Sequence, residues 1–215
     1  MLITDLGFSK GIIFETIVST FDKTGNPNAA PMGVIMENEQ TLSLNIFNSS
    51  LTSQNLKTSG CAVINLTSDI AIFYRSTFKE ANPDGKLPLE WFEKAESVNA
   101  PKLRWADATL DVSVTHIQLV GKDKAKMQCR VEKVTAAKQY PKPNCRALAL
   151  TLEAIIHATR VKAFSNDPSK QEEVHKLLGL IENCSKVVNR AAPKSTYSAV
   201  MADLTHRINN WRTKQ

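Results

Sequence analysis

Asn48, Ser49, Ser50 and Thr52 crowd four small hydrogen-bonding side chains into five residues. They follow an apolar run over 42–47 and precede a short helical stretch, 51–59, that Gly60 would end from a left-handed C′ position. A helix N-terminus leaves N–H groups without partners and carries the positive end of the dipole, so such a turn can hold an anion such as a phosphate. The same residue types also serve as ordinary caps, and taken alone that is the commoner role. No glycine-rich fingerprint accompanies the turn, which excludes a P-loop and a Rossmann turn. Other chemistry is sparse. His116, His157, His175 and His206 fall one per element, without the spacing a metal requires, and no G-x-S-x-G elbow occurs. Glu15 stands in an otherwise apolar strand; facing inward it needs a partner, facing outward it is simply solvated, and the second is commoner.

The elements that must position this turn alternate with period two. The pattern predicts a strand over 11–21, a turn over 22–27, a small-residue segment Asn28-Ala29-Ala30-Pro31-Met32-Gly33-Val34, a turn over 37–40 and a strand over 41–47. After the helix come strands at 61–66, 69–74, 109–120 and 125–134, the last two a hairpin through Gly121-Lys122-Asp123-Lys124. Leu110, Val112, Val114 and Met127, Cys129, Val131 alternate as half-buried antiparallel strands do. Six or seven such strands make a small barrel or sandwich. The long segment 76–107 carries Pro83, Pro88, Pro101 and the apolar group Leu89, Trp91, Phe92, Trp105. It reads equally as a lid or binding loop and as a plug for an open barrel end or a dimer contact. Beyond Tyr140-Pro141-Lys142-Pro143 the period becomes helical, with three apolar stripes: Leu148, Leu152, Ile155, Ile156, Thr159; Val174, Leu177, Leu178, Ile181, Cys184, Val188; and Tyr197, Val200, Met201, Leu204, Ile208, Trp211. The reading is therefore α+β: a β domain over 1–138, with 76–107 as its insertion loop, and a three-helix appendage over 139–215.

With 42% hydrophobic and 22% charged residues, the chain has the balance of a soluble globular protein. No apolar run approaches the ~20 residues of a membrane span, and the N-terminus lacks signal-peptide features, so a cytoplasmic location is expected. Cys61, Cys129, Cys145 and Cys184 are widely spaced and read as reduced, buried thiols. The net charge of +6 resides in the tail: from Ala136 onward thirteen Lys/Arg face six Asp/Glu, against fourteen and fifteen before it. Such asymmetry can mark a polyanion-binding arm, but these charges are scattered singly along helices.

The element order, together with Ser50-x-Thr52-x-x-Asn55, resembles the flavin-reductase-like branch of the FMN-binding split-barrel flavoproteins. The wording Glu15-Thr16-Ile17-Val18-Ser19-Thr20 followed by 28–34 is similar to an uncharacterised, largely archaeal (methanogen) domain-of-unknown-function family of split barrels, over roughly residues 8 to 135 and into the tail. The resemblance implies an antiparallel split β-barrel with a C-terminal helical appendage, binding FMN. It places Asn28, Ala29, Ala30, Pro31 and Met32 along the flavin ring, with Thr20 as a further ring-side residue. Asn48, Ser49, Ser50, Thr52 and Asn55 fall to the phosphate turn, where Ser50 and Thr52 are expected to meet one phosphate and Lys57 to stand as counter-charge. Unlike flavin reductases proper, this chain has no basic residue within the Ser-x-Thr turn, where Leu51 stands. The implied protein is a homodimer with FMN at its interface, acting as an oxidoreductase with a nicotinamide or deazaflavin donor. The alternatives are a non-catalytic flavin carrier and, third, nucleic-acid binding through the basic tail. The sparse acid–base chemistry suits a flavoprotein, whose cofactor performs the redox step.

Overall fold

Asp22 sets the first hairpin of the computed structural model, which describes residues 1–137 and 145–213. Its carboxylate accepts from the Thr24 hydroxyl at 2.7 Å and from the N–H groups of Thr24 and Asn26 at 2.8 and 2.9 Å. Those bonds, the Thr24 hydroxyl foremost, hold its carboxyl at about 2. The turn joins β1 (Ile13–Phe21) to β2 (Pro27–Asn38) in a register that sets Thr20 opposite Asn28, Val18 opposite Ala30 and Thr16 opposite Met32. There follow β3 (Thr41–Phe47), α1 (Leu51–Ser59), β4 (Cys61–Leu66), α2 (Ile70–Thr77), the short β5 (Phe92–Lys94) and β6 (Pro101–Leu103), and the long hairpin β7 (Ala108–Val120) and β8 (Lys124–Ala136).

Six strands close into an antiparallel barrel in the order β1-β2-β3-β8-β7-β4, with β4 returning to β1. Its interior is filled by the alternate residues anticipated from the period: Val18, Val34, Leu42, Leu44, Ile64, Leu110, Val112 and Met127 are all buried. Leu56 of α1 joins this core from one direction, and Ile3 and Phe8 from the N-terminal segment. Glu15 lies exposed on β1, the solvated alternative.

One expected strand is a helix. The stretch 69–74 begins α2, whose start is marked by the Asp69 carboxylate accepting from the Ala71 N–H at 2.8 Å. A short apolar run such as Ile70-Ala71-Ile72-Phe73-Tyr74 has no period long enough to separate strand from helix. The insertion 76–107 descends through 3-10 turns into the β5–β6 pair, which covers the outer face of β1 and β4. Asn65, fully buried on β4, fastens it there: its side-chain oxygen accepts from the Leu103 N–H at 2.8 Å, while its amide donates to Ile17 O and Ser19 Oγ. Ser19 Oγ in turn donates to Pro101 O at 2.6 Å.

The chain divides into two compact units. The first contains the barrel and its cover. The second comprises α2, α3 (Arg146–Phe164), α4 (Gln171–Ala191) and α5 (Thr196–Thr213), with α3 packed on both α4 and α5. The expected boundary at 138/139 lies outside the described residues. The α4 stripe is buried as anticipated, Leu178 alone being only half-covered. The face of α3 is turned: Ala147, Thr151, Ala154, Ile155, Ala158 and Val161 are buried, while Leu148, Leu152 and Ile156 are half-exposed and Thr159 is exposed. Small residues on that face let neighbouring helices approach closely, an effect that an apolar count by size does not register. Within this unit the Tyr74 hydroxyl donates to Asp203 Oδ2 at 2.5 Å and accepts from Arg207 Nε at 2.8 Å. Some of the tail's cations are paired along their own helices, Lys176 with Glu172 and Lys186 with Glu182. Among the described residues no helix is long and apolar enough to cross a membrane.

Replacing Asn65 with Leu removes the fastening while keeping the volume. It strands the Leu103 N–H, and a buried unpaired group costs about 1–3 kcal/mol. With Ser19 also disturbed, the expected loss is roughly 2–4 kcal/mol in urea unfolding of the Asn65→Leu variant. A loss under about 1 kcal/mol would show that the cover is held by other contacts.

Candidate functional site

The turn after β3 is built by hydroxyls acting on backbone. Ser50 is the N-cap of α1, in extended conformation, and its Oγ accepts from the Ser53 N–H at 3.2 Å while donating to Phe47 O at 2.9 Å. Gly60, at φ +67°, closes the helix with its N–H on Leu56 O. The Asn48 N–H donates to Asp123 O at 2.8 Å, which ties the turn to the tip of the β7–β8 hairpin. Lys57 reaches back past the start of α1 and donates to Asn48 Oδ1 at 3.0 Å. Ser49 is exposed, and Asn48 and Ser50 are half-buried. Among the described residues the backbone N–H groups of Leu51 and Thr52 meet no acceptor, so the helix start presents free donors.

The buried side of α1 is polar. Thr52, Ser53 and Asn55 are all 4% exposed or less, and beneath them lie Thr20 and Asn28, the facing pair at the mouth of the first hairpin. Asn55 Nδ2 donates to Thr20 Oγ1 at 2.9 Å, and Asn28 Nδ2 donates to Thr52 Oγ1 at 3.1 Å. Four of the residues expected from the sequence are thus brought together as two bonded pairs that seat α1 on the barrel. Ser53 Oγ is buried without a partner among the described residues.

The chain brings one residue here that the sequence reading missed. Lys79, from a 3-10 turn at the head of the covering segment, donates its ammonium to Asn28 Oδ1. Burial pushes its pKa down, and among the described residues no carboxylate lies within ion-pair distance of it. A cation therefore does stand beside the Ser-x-Thr turn, delivered through Asn28 by a segment that follows α1 rather than from within the turn. The only sequence signal was a lysine beside Phe78 at the start of a segment already marked as unusual.

Asn28, Ala29, Ala30, Pro31 and Met32 do not share a face. Met32 packs on the barrel core with Val34 and Met36, and Asn28 and Ala30 lie on that same side of the strand; Ala29 and Pro31 point the other way. What the five have in common is backbone. β2 pairs with β1 from Pro27 to Ile35, but with β3 only from Val34 to Asn38, so one edge of 28–33 has no strand partner. Along that edge the alternate N–H and C=O groups of β2 are open to a ligand. A Cβ on Gly33 would meet Ile13 Cγ2 at 2.7 Å, so this glycine serves the close β1–β2 crossing. The site is an unpaired strand edge facing a helix start, with Lys57 and Lys79 beside it. His116 lies exposed on β7, and of the four thiols Cys61, Cys129 and Cys184 are buried while Cys145, expected to be buried too, is exposed at the head of α3.

The sequence model of a family described as "Protein of unknown function (DUF447) N-terminal domain" matches residues 14–139. The crystal structure of an FMN-bound protein of that family from Methanosarcina mazei superposes with TM-score 0.77 at 24% identity, covering 96% of this chain and 99% of that one. Nitrilotriacetate monooxygenase component B from Bacillus cereus superposes at 0.51 with 18% identity, covering 69% of this chain and 83% of that one. The styrene monooxygenase flavin reductase of Pseudomonas putida S12 does so at 0.50 with 18% identity, covering 61% and 83%. The fold is the flavin-reductase-like split barrel with a C-terminal helical appendage, and only the first of these neighbours spans the helices as well.

The Thr20–Asn55 bond can be weighed by a double-mutant cycle. Thr20→Val and Asn55→Leu should each cost about 1–3 kcal/mol in urea unfolding, because each strands a buried polar group. The double variant should recover about 0.5–3 kcal/mol of the summed loss. Strict additivity would mean that the two side chains do not depend on one another.

Proposed function

Because the chain belongs to the DUF447 family through its N-terminal domain, we propose that it is an FMN-binding flavoprotein acting as an oxidoreductase. The observation that carries this reading is the unpaired edge of β2 over 28–33 set against the free N–H groups at the start of α1. It is supported by a family neighbour whose structure holds FMN and by a fold shared with a flavin reductase. The flavin, when bound, supplies the hydride and electron chemistry.

In this reading the edge-facing alternate backbone groups within Asn28, Ala29, Ala30, Pro31 and Met32 hydrogen-bond the edge of the flavin ring, Pro31 having no N–H to give. Ala30, half-buried between Asn28 and Met32 on the core side, leaves space for a flat ring, and Pro31 stiffens the segment. The phosphate is received by the turn Asn48–Ser50 and the N–H groups of Leu51 and Thr52. Ser50 acts mainly as the cap, since its hydroxyl hydrogen is already given to Phe47 O. Thr20, Asn28, Thr52 and Asn55 hold the helix start at the correct height above the strands. A second copy of the chain is the proposed partner at the site. Phe47, Leu51, Leu119 and Val120 are all exposed, and the β3–β8–β7 register sets Phe47, Lys124 and Val120 abreast, next to the turn. A nicotinamide or deazaflavin donor is the proposed source of reducing equivalents.

Added FMN at a hundredfold excess over its Kd should stabilise the protein by about 2.7 kcal/mol, seen as a rise in Tm of roughly 5–10 °C. Freshly purified protein without a flavin band, and with no thermal response to FMN, would sink the reading. Anaerobic mixing of the flavin-loaded protein with NADPH or NADH should bleach the flavin band. Binding without bleaching by any donor would favour a carrier over a reductase.

A further inference from the structure

We infer that Lys79 is the charge-selecting residue of the flavin site, the group through which it takes a phosphorylated flavin in preference to riboflavin. This rests on the FMN-binding reading above.

The backbone of Lys79 is fixed in a 3-10 turn: the Ala81 N–H bonds Phe78 O at 2.8 Å, and both the N–H and the side-chain amide of Asn82 bond Lys79 O at 2.9 Å. Phe78 beside it is 2% exposed and anchors the turn in the first unit. The ammonium is therefore delivered to its place by a rigid segment. An ammonium has three donors, and among the described residues only one is engaged, by Asn28 Oδ1.

Asn28 cannot turn away. Its Nδ2 is committed to Thr52 Oγ1, so its oxygen must face Lys79, and a flipped amide would set N–H groups against a cation. One asparagine side chain thus bridges the ammonium to Thr52, whose own backbone N–H is among the free donors of α1. A half-buried cation with no carboxylate to balance it is costly unless something anionic completes it. Burial already biases this ammonium toward losing its proton, and a bound phosphate would reverse that bias. Lys57, by contrast, is exposed on the outer side of the helix and bonded to Asn48, where solvent screens it. Lys124, also next to the turn, is exposed over the Phe47 ring, so of these three cations Lys79 is the one whose charge is felt.

The test separates charge from mere positioning. Wild-type protein, Lys79→Met, Lys79→Gln and Lys79→Arg would be titrated with FMN and with riboflavin, following flavin fluorescence, with circular dichroism to confirm folding. The wild type should prefer FMN to riboflavin. Met and Gln should weaken FMN by about 10–100-fold, the range of a charge-assisted bond, and leave riboflavin within about twofold. Arg should restore most of the FMN affinity. Gln is shorter than Lys but keeps an uncharged N–H donor that can face Asn28, so it answers even where Met misfolds. The inference is overturned if Gln leaves FMN affinity unchanged, or if it weakens FMN and riboflavin equally. A wild type that binds both flavins equally well overturns it too, while leaving the FMN-binding reading in place. A wild type that binds neither removes both.

Discussion

Polar side chains buried between α1 and the barrel must find partners, and the form of the site follows from how they do. Most surface helices rest on an apolar stripe; α1 sets only Leu56 into the core and meets the strands with Thr52, Ser53 and Asn55. An apolar face tolerates sliding and rotation at little cost. Hydrogen bonds of 2.9 and 3.1 Å to Thr20 and Asn28 do not, since a shift of an ångström strands a buried group. The helix start is therefore fixed to the hairpin mouth, and with it the direction in which its free N–H groups point. Lys79 enters the same network through Asn28, so the cation and the dipole are registered to one another by a single side chain.

Much of this was legible in advance where local chemistry alone decides. Ser50 caps and Gly60 stops α1, Asp22 and Gly25 turn the first hairpin, and Asp167-Pro168 opens the run into α4 through a short 3-10 turn, each for reasons contained within a few residues. Most of the strands were legible because period two is strong in 42–46 and 110–112. What escaped was decided at a distance. Whether 69–74 extends or coils depends on what receives Ile72 and Phe73, and the buried face of α3 depends on how near its neighbours come. Thr20 and Asn55 were singled out as ligand contacts, yet nothing local tells that each is the other's partner across 35 residues. Lys79 is the extreme case, since its importance arises only when the covering segment folds back to the hairpin mouth.

That segment has two attachments of different character. Through Asn65, Ser19 and the small cluster of Cys61, Val63, Ala95 and Ala100 it is bonded and packed against the outer wall of the barrel. At its head it touches the inward-facing Asn28 through Lys79. It therefore spans from the outer surface to the rim, joining the two sides of the wall without crossing it. Leu89 and Trp105 stay exposed near the β5–β6 pair, beside the ion pairs of Glu93 with Lys102 and Arg104.

Closure of the ring turns the barrel into a device that counts. In an open sheet an outer strand can slip by one residue and only its own side chains change sides. Here each strand is held on both flanks, so one slip would have to be matched all the way round. It would also exchange Thr20 and Asn28 for Ser19 and Ala29 under the helix, leaving Asn55 and Thr52 with nothing to grip. Length can change freely in the turns and in the cover, and within a strand only where a bulge absorbs it, as at Met36–Asn38 and Val114–His116. The lineage of such a protein should be written as a strand lattice copied to the residue, with its history of insertion and loss kept in the margins.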